Sequence, residues 1–447
     1  MRYCMANLVA VLAFLRILAQ ASSLSSSPEA IACRDVVTSC RGFQAPCSET
    51  SESAECKLSL VTVTHQGGIG AVVDEIIFGA SFARYLGIQY GGMVPTQRDW
   101  KAVYGFWTKP VYGGSDRRVA LAFLFGDDDA NRLANLRGPQ DLTAARIDSA
   151  AFPNIFNDGP FSMPKSAWTP AAANASLVAL KEHLVVIARD ASRLRFEAPS
   201  AEPPHALLDA FLTRSFLADL RAGPLACNVA RLIAARGLYM DHRARAAASA
   251  GGARAVVTIA AHVRRGDVWE NPSAFNYFTG DEYYYRVLPA IRQAVGLLSR
   301  GAAVGDVHAF TSCVGPERCA RQVAAMGPGY ASRRIALHVT DEADPSANVS
   351  SLVLSDWAHL MAADVLVTAV SSFSHVAGLL SQGGCVVYMP MWRGPLAGWV
   401  VPSREDWDTT MHKARPRYLN DTMLAAYFAD VLPACLPSSL TKQWARL

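Results

Sequence analysis

Between residues 255 and 389, short apolar runs alternate with helical stretches, and no other feature limits the fold of this chain as much. The runs at 255–261, 304–310, 335–339, 365–369 and 386–389 are too short for helices and too uniformly apolar for strands with one wet face. Strands of that kind are buried on both sides, which calls for a parallel sheet covered by helices. Residues 281–298, 351–362 and 374–380 have helical spacing, and Pro289 is expected to kink or split the first of them. The fold class is therefore α/β.

A second α/β unit opens earlier. Residues 58–64 alternate like a strand, 65–70 form a glycine loop, and 71–86 have helical spacing. The stretch from 90 to 245 holds helix candidates at 174–195, 205–222 and 225–244, and a strand candidate at 121–125. The small residues 246–252 read as a linker. Four parts follow: a targeting segment at 1–21, a Cys- and Ser-rich stem at 22–57, an N-terminal α/β domain at 58–245 and a C-terminal α/β domain at 246–447. With 51% hydrophobic and 18% charged residues, the chain has ample material for two cores and is not a disordered protein. A net charge of +4 gives no reason to expect nucleic acid as a partner.

The first residues set Arg2 before an apolar run at 8–15, with the small-residue pattern Ala19-Gln20-Ala21 after it. This reads as a cleaved secretory signal, with a short signal anchor as the alternative, so a membrane enters only if the segment is retained. Ten cysteines fit the same oxidising compartment as disulfides, although their pairing does not follow from spacing. Sequons at Asn174, Asn348 and Asn420 are compatible with it. The expected location is the lumen of the secretory pathway, Golgi or endoplasmic reticulum, as a secreted or single-pass protein.

The chemistry concentrates where an apolar strand runs into His262-Val-Arg264-Arg265-Gly266-Asp267. Ligands of open α/β sheets collect at the carboxyl ends of strands. Arginine carries a permanent charge in a planar fork that matches phosphate oxygens. A surface Arg-Arg turn is the plain alternative for that pair by itself. About a hundred residues later a helix and an apolar strand lead into Ser371-Ser372-Phe373-Ser374, with a second helix beginning near Ser374. Hydroxyls and helix N–H groups there suit an anion, while Ser374 alone would suit an N-cap.

Together these segments resemble those of the fucosyltransferases. HVRRGD, Asp281-Glu-Tyr-Tyr-Tyr285 and LMAADVLVTAVSSFSHVAGLL are similar to the characteristic stretches of the alpha-1,2-fucosyltransferases, and more loosely to the alpha-1,6- and protein O-fucosyltransferases. GGIGAVVDEIIFGASFARYLG resembles the glycine loop that opens the protein O-fucosyltransferases. The resemblance implies a GT-B arrangement, two Rossmann-like domains facing across a cleft. It implies inverting transfer from GDP-fucose as donor substrate to a glycan or glycoprotein hydroxyl, without a metal or resident cofactor. Arg264 and Arg265 match the arginines that hold the diphosphate, with His262 and Asp267 as the motif's other fixed positions. Ser371, Ser372 and Ser374 match the serine turn near the nucleotide, and Gly67, Gly68 and Gly70 the loop facing sugar and phosphates. Two positions depart from the pattern: Ala71 and Val72 follow the last glycine, and Cys313 stands where an acidic residue is usual.

An acceptor hydroxyl needs to lose a proton, and Asp74 and Glu75 are the candidate bases, although acids in a first helical turn also serve the helix dipole. Asp127-Asp128-Asp129 reads as a solvated turn rather than a metal site, because two arginines already balance the phosphates. Trp392, Trp399 and Trp407 suit either an acceptor sugar or the core. Arg265→Ala is expected to abolish transfer with little loss of folding. Two other readings stay open: a transferase for another nucleotide sugar, and a non-catalytic glycan- or nucleotide-binding protein on the same scaffold.

Overall fold

The computed structural model describes residues 255–266, 268–269, 279–341, 349–381, 384–389, 395–396, 398–401 and 420–436. It also describes strand segments 58–64, 89–95, 194–198, 407–408 and 415–416, helical positions within 70–80, 123–124 and 221–233, and positions 441 and 444. The strands β1 (Leu58–Thr64), β2 (Gln89–Pro95) and β3 (Leu194–Ala198) form a parallel sheet in the order β2-β1-β3. The expected strand at 58–64 is therefore the middle strand of its sheet. The expected strand at 121–125 is not borne out, since 123 and 124 are helical. A short apolar run does not by itself separate strand from buried helix, and Phe123 and Leu124 are buried. The helix expected over 174–195 is outside the described residues apart from its end, where β3 begins.

The second sheet has five strands, all parallel: β4 (Ala255–His262), β5 (Ala303–Cys313), β6 (Ala336–Asp341), β7 (Val365–Val367) and β8 (Cys385–Val387), in the order β6-β5-β4-β7-β8. Its helices are α1 (Asp281–Leu298), α2 (Pro316–Ser332), α3 (Val349–Ala362), α4 (Ser372–Leu379) and α5 (Asp421–Val431). A two-stranded antiparallel pair, β9 (Trp407–Asp408) and β10 (Arg415–Pro416), lies between β8 and α5 in the chain. The α/β fold with a parallel sheet is as expected. Ile259, Ala260 and Ala261 of β4, and every residue of β7 and β8, are buried, which is why these runs carry no polar alternation. One exception to apolarity ties the sheet together. Asp364, just before β7, accepts hydrogen bonds from the backbone N–H and the hydroxyl of Thr258, both at 2.9 Å.

Helix α1 runs unbroken through Pro289, contrary to expectation. Proline in a helix interior costs roughly 3 kcal/mol. Tyr284, Val287, Leu288, Ile291, Ala294 and Val295 are all fully buried around it, and burying side chains of this size outweighs that cost. On one face of the sheet these residues share a core with Val307 and Ala309 of β5 and with Leu424 and Phe428 of α5.

Strand order decides where a site can form. From β4 the chain moves outward through β5 to β6, then returns to the other side of β4 as β7 and β8. The order reverses between β4 and β7, and a crevice opens outside the carboxyl ends of two strands that diverge in this way. Those ends are His262 and Val367.

Candidate functional site

Two turns leave these strand ends, and they are built differently. The first, 263–269, carries the arginines. Its backbone is tied to β5 and its continuation by Val263 N–H to Phe310 O (2.8 Å) and Gly266 N–H to Ser312 O (3.0 Å). Within the turn Arg265 O accepts from Val268 N–H (2.8 Å) and Trp269 N–H (2.6 Å), and side chains hold two of the carbonyls before it. Tyr284 of α1 donates its hydroxyl to His262 O (3.1 Å), and Arg265 donates Nη1 to Arg264 O (2.8 Å). The other end of the Arg265 fork donates to Asp281 Oδ1 at 2.6 Å, and the Tyr330 hydroxyl of α2 donates to that same oxygen at 3.2 Å.

The arginines therefore occupy unlike places. The Arg265 side chain has 0% exposure, with its guanidinium 5.9 Å from the ring of Trp269. Arg264 is half-buried, and its Nη1 reaches across the crevice to Val370 O at 3.0 Å. It alone among the described residues joins the first turn to the second by a side-chain hydrogen bond.

The second turn, 368–374, is capped by its own serines, while Thr368 ties its start to β8 and Met389. Ser371 is the N-cap of α4, accepting from Phe373 N–H at 3.2 Å. The helix thus begins at Ser372, earlier than expected. Ser374 does not open it. Its hydroxyl is fully buried, accepts from Ala369 N–H (2.9 Å) and lies 3.3 Å from both Ala369 O and Ser371 O. Ser372 is half-buried in the first turn of α4.

Aromatic rings join these turns to the N-terminal half. His262 lies 5.1 Å from Phe373, Phe373 stacks on Trp357 at 5.5 Å, and Trp357 stacks on Phe123 at 5.6 Å. The Trp357 indole N–H donates to Phe373 O at 2.8 Å. Burial and the two neighbouring arginines push the His262 imidazole down to about 3, so it is neutral at physiological pH. Gly70 touches the same place. A Cβ there would come within 2.5 Å of the Phe373 backbone N and Cα, a distance only glycine allows. Glycine segment, arginine turn and serine turn, separated by up to three hundred residues, thus meet around Phe373.

Asp74 is fully buried in the helical segment that begins at Gly70. Gly67, Gly68, Glu75, Asp267 and Asp127–Asp129 lie outside the described residues. Trp399 packs against His375 and Tyr388, at 5.3 and 5.8 Å, within the C-terminal unit. Two disulfides are present among the described residues, Cys313–Cys319 and Cys385–Cys435. The sulfurs of the first lie near Asp341, but joined to each other they offer no thiolate for a metal. Sequence reasoning passed over Tyr330, Arg318 and all of α2. The signal for that helix was Gly315-Pro316, a proline at the first helical position, obscured by Gly327-Pro328-Gly329 further on.

No family model and no curated protein matches the chain. Among solved structures it is similar to an Arabidopsis thaliana FUT1 mutant in complex with GDP, at 12% identity and a TM-score of 0.34, over 83% of this chain and 80% of that one. A likeness at that level carries no information about residues or activity.

Proposed function

We propose that the chain is a GT-B glycosyltransferase of the secretory-pathway lumen that moves fucose from GDP-fucose to a glycan or glycoprotein hydroxyl, with inversion and without a metal. One observation carries this reading: Arg264, half-buried at the reversal of strand order, spans the two turns into which the sheet's carboxyl ends open. A fixed cation there meets the charge that grows on a diphosphate as its bond to the sugar breaks. The first turn of α4 supplies N–H groups on the opposite wall. Neutral His262 adds no positive charge and leaves the arginine fork as the anion's partner. Arg265 acts from beneath, holding the carbonyl of Arg264.

Calorimetry of GDP binding in excess EDTA, with UDP as control, tests the donor half of the reading. Metal-free binding selective for GDP is expected, weakened at least tenfold in Arg264→Ala, a loss on the scale of a charge-assisted hydrogen bond. Absence of binding, or binding rescued only by Mn or Mg, overturns it. A second reading, binding without turnover, is favoured by the complete burial of Asp74, which keeps that carboxylate from an acceptor hydroxyl. A panel of GDP-sugars and acceptors separates the two, because multiple-turnover transfer eliminates the second.

A further inference from the structure

The Cys313–Cys319 disulfide closes a small ring against the arginine turn. Cys313 is the last residue of β5 and Cys319 lies in the first turns of α2, six residues on. Between them Gly315 has φ +87°, and its N–H donates to Asp341 Oδ1 at 2.8 Å. The helix that starts here sends one side chain to the turn at 263–269 and another to the β5 carbonyl on which that turn rests. Arg318 donates from Nη2 to Trp269 O. Gln322, fully buried, donates from Nε2 to Ser312 O at 3.2 Å, the carbonyl that also accepts from Gly266 N–H. One end of the arginine turn thus rests directly on α2 and the other on Ser312 of β5, whose carbonyl α2 also holds, and the disulfide bonds that helix covalently to β5.

As a device for global stability this is the lesser of the two disulfides. A bridge constrains the unfolded chain more as its loop lengthens, and Cys385–Cys435 spans 50 residues against 6. Its position accounts for it better than its loop does. We propose that the Cys313–Cys319 disulfide is a positioning clamp for an anionic-nucleotide site, setting the Arg264 backbone through Arg318 and Gln322. The inference rests on the donor-site reading above. Its chemistry is ordinary thiol–disulfide exchange. A dithiol reductant supplies two electrons and two protons, becomes a disulfide itself, and leaves Cys313 and Cys319 as free thiols.

The test is GDP titration of the full-length Cys313→Ser/Cys319→Ser variant beside its thermal melt. GDP affinity is expected to fall about tenfold or more, the scale on which displacing a binding group by about an ångström acts, while a cooperative melt persists. If that variant does not fold, Arg318→Ala carries the test. It is expected to lose GDP affinity in the same direction with the disulfide intact, and Arg318→Lys, which retains one donor, to restore part of it. A disulfide-free or Arg318→Ala protein that binds GDP like the wild type overturns the clamp and leaves the donor-site reading standing. Wild-type protein that binds no GDP removes that reading, and the clamp with it.

Discussion

The two turns at the head of the sheet lie side by side and solve the same problem by opposite means. The serine turn is capped from within, by bonds that join residues two to five positions apart, although Trp357 and Arg264 also donate to its carbonyls. The arginine turn has local bonds of its own, from Val268 and Trp269 N–H to Arg265 O, but its side-chain supports come from elsewhere: Tyr284 and Asp281 from α1 and Arg318 from α2. A self-capped turn keeps its shape whatever surrounds it. A turn held from outside takes its shape from the packing of two helices, and changes in those helices will reach the residue it presents.

The strongest way to break this contrast is Asp281→Ala. It removes the carboxylate paired with the buried Arg265 guanidinium at 2.6 Å, a change expected to destabilise by about 3 kcal/mol. Urea unfolding should show the full loss, and an unchanged midpoint would mean that the arginine turn is not held in this way. The same burial alters the expectation for Arg265→Ala, which will damage folding as well as activity. Proton linkage sharpens the contrast next. His262 titrates near 6.5 when unfolded and is held down to about 3 in the fold. Between those values the unfolded chain binds the extra proton, so stability falls as pH drops below 6.5, by up to about 1.4 kcal/mol per unit, and levels off below 3. Denaturation midpoints from pH 7 to 4 should follow that slope, and His262→Gln should flatten it. The smallest effect belongs to the self-capped side. Ser371→Ala should cost about 1 kcal/mol, the ordinary loss of an N-cap, and Ser371→Asp should recover most of it. A much larger loss would mean that the serine turn also leans on distant partners.

The same contrast explains what could be read from the sequence. Buried strands were legible because their composition is a direct result of burial, and the serine turn was legible because its capping partners are its chain neighbours. The arginine turn was recognisable as a motif, but its supports lie 16 residues away at Asp281 and further at Arg318 and Tyr330, where no local pattern marks them. One signal was present. An apolar strand alternates the sides its residues face, and a strand running straight into Arg264-Arg265 hints that the two arginines occupy unlike places. Ser374 was misplaced as a helix start for a related reason: three serines in four residues all suit a cap, and only the backbone shows that Ser371 takes the role.

A run of ring contacts, tilted between His262 and Phe373 and stacked from Phe373 through Trp357 to Phe123, links the head of the second sheet to residue 123. Parting the Phe123 ring from the indole would forfeit about 0.5–1.5 kcal/mol of aromatic contact. These ring contacts therefore hold residue 123 against the turn only modestly, on the scale of one ordinary hydrogen bond.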